Sequence, residues 1–126
     1  MEEISIQAIG TVQNPFDQTT TRDTFHKSES EIILRPELEK GLEGLRPGNK
    51  IYIIYYFHRS HGFELLQHPR GNRLNPKRGV FSLRSPRRPN PIGLTQVELL
   101  SIDNNRLRVR GLDAIDGTPV LDIKPA

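Results

Sequence analysis

Lys50-Ile-Tyr-Ile-Ile-Tyr-Tyr-Phe57 decides how this chain is read. Every residue after Lys50 is β-branched or aromatic, a composition that suits a pleated strand. Both faces of such a strand are apolar, which places it in the middle of a sheet. It ends on His58-Arg59-Ser60-His61, so a buried strand delivers polar side chains to a sheet edge or barrel mouth. Outward from it the strand pattern recurs. Ile4 to Val12 alternates at roughly period two, Glu31 to Leu34 is a shorter run, and Gly79 to Leu83 and Gly93 to Leu100 read as two more strands. Val97 to Ile102 and Leu107 to Leu112 flank Asp103-Asn-Asn-Arg106, where Asn tolerates the positive φ of a type I′ hairpin. Asp116-Gly117 turns the chain into Val120 to Ile123. Pro36 to Leu42 predicts the one short helix, with Pro36 in its first turn, Glu37 and Glu39 at the positive end of its dipole, and Gly41 or Gly44 to stop it. Six or seven strands and one short helix predict a mainly β fold, a compact antiparallel β-barrel forming a single domain over residues 1–126.

A chain of 126 residues supports one core but is short for an enzyme that encloses its substrate alone. With 34% hydrophobic residues, a homodimer with the site near the subunit interface is expected. Net charge is only +3, yet it is unevenly spread. From His58 to Arg88 the chain holds Arg59, Arg70, Arg73, Lys77, Arg78, Arg84, Arg87 and Arg88 against the single acid Glu64. Such a block faces a polyanion or forms a solvated charged surface. Residues 59–78, punctuated by Gly62, Pro69, Gly71 and Pro76, read as a long basic loop, and a loop of that length in so small a domain is more often functional than idle. Beyond it, Arg84-Ser-Pro-Arg-Arg-Pro-Asn-Pro-Ile-Gly93 sets three arginines beside three prolines. Proline fixes φ, so the segment is stiff, and guanidinium forks held stiffly match phosphate or carboxylate at little entropic cost.

The chain contains no cysteine, which excludes disulfides, thiolate metal sites and a cysteine nucleophile. No apolar run reaches membrane-spanning length, and Met1-Glu2-Glu3 is acidic, so a soluble cytoplasmic protein is expected. His58 and His61 lack further ligands at suitable spacing, and no metal site is predicted. Gly10 stands alone, without a phosphate-cradling glycine loop. His58, at the end of a buried strand, reads either as a proton handler or as a satisfied structural histidine. Asp113-Ala-Ile-Asp116 before Gly117 reads either as ordinary turn chemistry or as a grip for a cationic or hydroxyl-bearing small molecule.

Two long motifs, Arg84 to Gly93 and Asp113-Ala-Ile-Asp-Gly-Thr-Pro-Val-Leu-Asp-Ile-Lys-Pro125, resemble the TsaA-like family, and Ile9-Gly10, Asn14-Pro15-Phe16 and Phe57-His58 fit it too. The likeness covers about residues 4 to 125. It implies a β-barrel methyltransferase that uses S-adenosylmethionine, acts as a homodimer, and methylates N6 of N6-threonylcarbamoyladenosine at position 37 of tRNA, beside the anticodon. Carried over by motif, the cofactor contacts fall on Arg22, His58, Arg59, Arg84, Leu94, Asp113, Ala114, Ile115 and Asp116. Arg22 lies in Thr21-Arg22-Asp23 where the family shows Pro-Arg-Gln, and Leu83 stands where the family has a small hydroxyl residue. The target nitrogen belongs to a urea and must lose its proton, which suits His58 as base, with Asp113 or Asp116 as rivals. Arg70, Arg73, Lys77, Arg78, Arg87 and Arg88 are the candidate contacts to RNA in the anticodon loop. A non-catalytic module binding S-adenosylmethionine or RNA, or a methyltransferase for a different small substrate, remains open at this stage.

Overall fold

The structure is a computed structural model that describes residues 1–18 and 21–126. In chain order it contains β1 (Gly10–Gln13), α1 (Arg22–Lys27), β2 (Glu29–Leu34), a 3-10 helix over Pro36–Leu42, β3 (Lys50–Tyr56), β4 (Leu66–Gln67), β5 (Arg78–Gly79), β6 (Ile92–Asp103), β7 (Arg106–Arg110) and β8 (Pro119–Pro125). Six strands close a barrel in the order β1-β2-β7-β6-β3-β8, with β8 returning to β1 and every pairing antiparallel. The predicted β-barrel is the observed fold. β3 is central as expected, flanked by β6 and β8, but burial is one-sided: Ile51, Ile53 and Tyr55 point inward and Tyr52 and Ile54 are only half-buried. Inside, Ile32, Ile51, Ile53, Leu99, Leu107 and Val120 interdigitate with no exposed surface. Register shifts at Ile54/Tyr55 and Leu99/Ser101 bend the long strands enough to close the sheet.

Several elements differ from the sequence reading. Ile4 to Ala8 stays outside the sheet, with Ile4 and Ile6 exposed, and β1 begins at Gly10. Only Ile9 joins, donating to the Val120 carbonyl and accepting from the Arg35 amide. Gly79 to Leu83 is not a strand: β5 takes two residues and a 3-10 turn follows at Val80–Ser82, burying Val80. Pro36–Leu42 forms a helix as predicted, though of the tighter 3-10 kind, as its short length favours. The sole α-helix among the described residues, α1, was not anticipated; Thr21 caps it through the Thr24 amide, and Phe25 is buried edge-on against Phe16 at 5.2 Å. The β6–β7 loop has the expected two residues, but φ is positive at Asn104 alone, whereas a type I′ turn needs it at both.

Alternation of strand direction gathers the C-terminal ends of β1, β3 and β7 and the N-terminal ends of β2, β6 and β8 at one barrel mouth. On the outer wall Arg106, Arg108 and Arg110 of β7 pair with Glu29 and Glu31 of β2 and Glu98 of β6 at 2.9–3.5 Å. Each exposed pair is worth at most about 1 kcal/mol, but together they neutralise this wall. No helix among the described residues is long and apolar enough to cross a membrane.

β1 reaches β2 closely because Gly10 has no side chain: a Cβ there would lie 2.5 Å from the Ile33 carbonyl oxygen. Backbone cannot yield as a flexible side chain does. Gly10→Ala is therefore expected to lower stability by about 1–3 kcal/mol, read as a lower urea midpoint at unchanged slope.

Candidate active site

The turn after β7 is stitched to the segment after β1. Asn14 donates its side-chain amide to the Ala114 carbonyl at 2.8 Å and to Ser30 Oγ at 3.0 Å, while its main-chain amide donates to Asp116 Oδ1 at 3.1 Å. The Asp116 amide returns a bond to the Phe16 carbonyl at 2.6 Å. Buried Thr118 closes the turn by donating Oγ1 to the Ile115 carbonyl at 2.7 Å, and Gly117 takes φ of 83°, which glycine adopts without strain. Asp116 thus acts as a turn carboxylate of the ordinary kind, while the turn as a whole becomes a rigid lip on the barrel mouth.

Tyr55 ties that lip to β6. Its ring fills the space above Gly93, where a Cβ would come within 2.5 Å of it, and it meets Phe57 edge-on at 5.4 Å. The hydroxyl donates to the Asp113 carbonyl at 2.8 Å and lies 2.8 Å from Thr95 Oγ1. Burial, assisted by the Asp113 charge, pushes this phenol up to about 12, against the lowering effect of the Thr95 hydrogen bond and of Arg84, so it stays neutral across the physiological range. Arg84 swings in from the Pro-rich segment and donates Nη1 to the Leu94 carbonyl at 2.8 Å. Leu94 itself remains 40% exposed, an apolar surface beside the Arg84 guanidinium.

His58 follows β3 directly, its Nε2 3.8 Å from the point a Gly117 Cβ would occupy. Burial and then the neighbouring Arg59 charge hold its imidazole below the usual histidine value, so it is neutral at pH 7. Arg59 donates to the Asp17 carbonyl. His58, Arg59, Arg84, Leu94 and Asp113 to Asp116 therefore converge on one mouth, although they come from widely separated parts of the sequence. The Arg22 side chain lies outside what the structure describes. Sequence reasoning gave no role to Asn14, Tyr55, Gly93 or Thr118; Asn14-Pro15 and a glycine within the strand pattern at Gly93 were the available signals.

The RNA candidates separate by what they already hold. Arg88 is half-buried and donates Nη1 to the Leu83 and Ser85 carbonyls, which shapes the loop. Arg78 donates to the Ser82 carbonyl, and Arg87 pairs with Glu64 at 3.2 Å. Among the described residues, Arg70, Arg73 and Lys77 form no ion pair. No cluster of three or more His, Cys, Asp or Glu suited to a metal occurs among them either.

These features define a small closed β-barrel with a polar mouth and a basic flank. The chain belongs to the tRNA-methyltransferase O N-terminal domain family, whose model matches residues 11–126, in line with the resemblance read from the two motifs. A probable S-adenosyl-L-methionine-binding protein of Methanothermobacter thermautotrophicus is 46% identical over 126 residues, covering 98% of this chain and 90% of that protein. The tRNA (adenine(37)-N6)-methyltransferase of Mus musculus is 40% identical over 118 residues, covering 93% of this chain and 27% of that enzyme. The crystal structure of TrmO from Pseudomonas aeruginosa superposes with a TM-score of 0.75 at 29% identity, over 99% of this chain and 56% of that one. The chain thus spans most of the archaeal relative and about half of the solved TrmO chain.

Tyr55→Phe leaves ring packing intact but strips the Asp113 carbonyl of its buried donor. The expected loss is about 1–3 kcal/mol of stability in chemical denaturation. An unchanged midpoint would show that water replaces the hydroxyl without penalty.

Proposed function

We propose that this chain is an S-adenosyl-L-methionine-dependent methyltransferase acting on N6 of N6-threonylcarbamoyladenosine at position 37 of tRNA. One observation carries the reading: in a member of the tRNA-methyltransferase O family, Arg84, Leu94, His58, Arg59 and the Asp113–Asp116 turn meet at a single barrel mouth. The donor set fits the cofactor. Carboxylates at Asp113 and Asp116 suit a ligand with a positive charge and hydroxyls, Arg84 suits its carboxylate, and exposed Leu94 with half-buried Ile115 offers apolar surface to its base. When bound, the cofactor supplies a methyl group on a positively charged sulfur.

The protein's contribution is positioning and proton removal. Transfer to N6 requires loss of the proton on a weakly nucleophilic urea nitrogen. His58, kept neutral, is the base that accepts it. Arg84, Arg87 or Arg88 meets the threonyl carboxylate of the substrate or the anticodon-loop phosphates, and Arg70, Arg73, Lys77 and Arg78 are the further contacts to those phosphates. A tRNA substrate supports a cytoplasmic location. The protein acts as a homodimer with its site near the subunit interface; Phe63, Leu65, Leu66 and Phe81, all more than half exposed, supply apolar surface for the partner beside the site.

Mass spectrometry of tRNA nucleosides, with labelled cofactor, tests the central claim. Methylated threonylcarbamoyladenosine is expected only when this protein is present; cofactor binding without transfer would leave a non-catalytic module. Arg84→Ala is expected to weaken cofactor binding by roughly 1.5–3 kcal/mol in calorimetry. Because the folded His58 value lies below 6.5, the unfolded chain binds more protons between the two values, so stability falls as pH drops through that window. By the same shift, the fall in single-turnover rate on acidification should come at a lower pH than an unperturbed histidine would set, and His58→Gln should lower the rate and flatten the profile.

Dimerisation is checked separately by sedimentation at micromolar concentration. An interface of ordinary size buries roughly 1,200–2,000 Å², and an active monomer would dispose of this part of the proposal.

A further inference from the structure

A groove beside the basic loop, about 620 Å³, lies between residues 64–77 and the Pro-Arg segment. Arg73, Lys77 and Arg87 line it together with His68, Gln67 and one acid, Glu64. Glu64 is the only carboxylate between His58 and Arg88, and it sits on Arg87, Oε1 to Nη2 at 3.2 Å. Both side chains are about half exposed, so an incoming anion can reach the pair. The pair is also preset. Gln67 Nε2 donates to the Glu64 carbonyl at 2.7 Å and to the Arg87 carbonyl at 2.6 Å, clamping the two backbones that carry it. Across the groove, His68 Nδ1 contacts the Asn75 carbonyl at 2.8 Å and Asn72 Oδ1 accepts from the Leu74 amide at 3.0 Å, which hold the rim bearing Arg73 and Lys77.

We propose that this groove seats one phosphate group of the RNA, and that Glu64 occupies that seat on Arg87 until the phosphate displaces it. A carboxylate and a phosphate present the same oxygen edge to a guanidinium, so one can stand in for the other. Phosphate carries the advantage, since Arg73 and Lys77 face the groove without a carboxylate partner among the described residues. The consequence is selectivity. Any polyanion must first break the resident pair, and only one that also reaches Arg73 and Lys77 recovers what that costs. The inference rests on the tRNA reading above for the source of the phosphate.

The test titrates wild type, Glu64→Gln, Arg87→Ala, the double variant and Glu39→Gln with a labelled anticodon stem-loop RNA and with inorganic tripolyphosphate, across a salt series. Glu39 serves as a control acid on the 3-10 helix that follows the opposite end of β2. Freed of its competitor, Arg87 should bind RNA about two- to fivefold more tightly in Glu64→Gln, the range set by an exposed ion pair. The salt slope of log K should stay at the wild-type value in Glu64→Gln, because the same phosphate contact forms in both, and should become shallower by about 0.7–0.9, one phosphate contact, in Arg87→Ala, while Glu39→Gln stays at wild type in affinity and slope. In the Arg87→Ala background the Glu64→Gln gain should vanish. Unchanged affinity for both ligands in Glu64→Gln, or a full gain that persists without Arg87, overturns the proposal. If no form binds RNA but Glu64→Gln still tightens tripolyphosphate, the groove stands as a phosphate seat and the tRNA reading falls instead.

Discussion

The ring of Tyr55 lying over Gly93 is the contact on which the site depends. It requires a glycine on β6 and an aromatic on β3 at paired positions, and it aims one hydroxyl along the inner face at Thr95 and at the Asp113 carbonyl. β6 runs past the end of β7, from Ile92 to Val97, with no strand beside it on that flank. A side chain closes the seam instead. The same reach places the Asp113–Asp116 turn, Leu94 and the Arg84 guanidinium at one rim, so the candidate site is assembled by a core residue that need not touch a ligand.

Charge is partitioned with equal economy. The barrel wall carries Arg106, Arg108 and Arg110, but each faces a glutamate on a neighbouring strand, leaving a nearly neutral surface. The loop region carries a similar density of cations with a single acid. A polyanion therefore meets its attraction on the flank beside the mouth and not on the wall, which orients encounter before any specific contact forms. Stiffness adds to this. Prolines at 86, 89 and 91 and the inward bonds of Arg88 hold the segment that presents Arg84 and Arg87.

His58 illustrates how position in the fold biases the charge state of a side chain. Partial burial at the end of β3 and the adjacent Arg59 both disfavour its charged form, and both follow from a strand that delivers the two residues consecutively to the rim. Its neighbour across the rim is Gly117, whose lack of a side chain leaves the ring room.

Local chemistry by itself determined the strands that alternate or run apolar: β3, β6, β7 and β8 lie close to where Ile, Val, Tyr and Leu patterns set them, because each carries enough apolar surface to need a sheet face. Two motifs also stood out locally, the prolines and arginines at 84–91 and the doubled aspartate turn at 113–116, because their polar and φ-restricted residues are not what a core asks for. Ile4 to Ala8 and Gly79 to Leu83 carried the same local pattern and did not become barrel strands, for alternation makes a segment able to pair and does not decide whether it does. The roles of Asn14, Tyr55 and Gly93 were decided by tertiary structure alone. Each acts on a partner between 38 and 100 positions away, so only barrel closure, which sets strand order and register, brings the partners within hydrogen-bonding or contact distance.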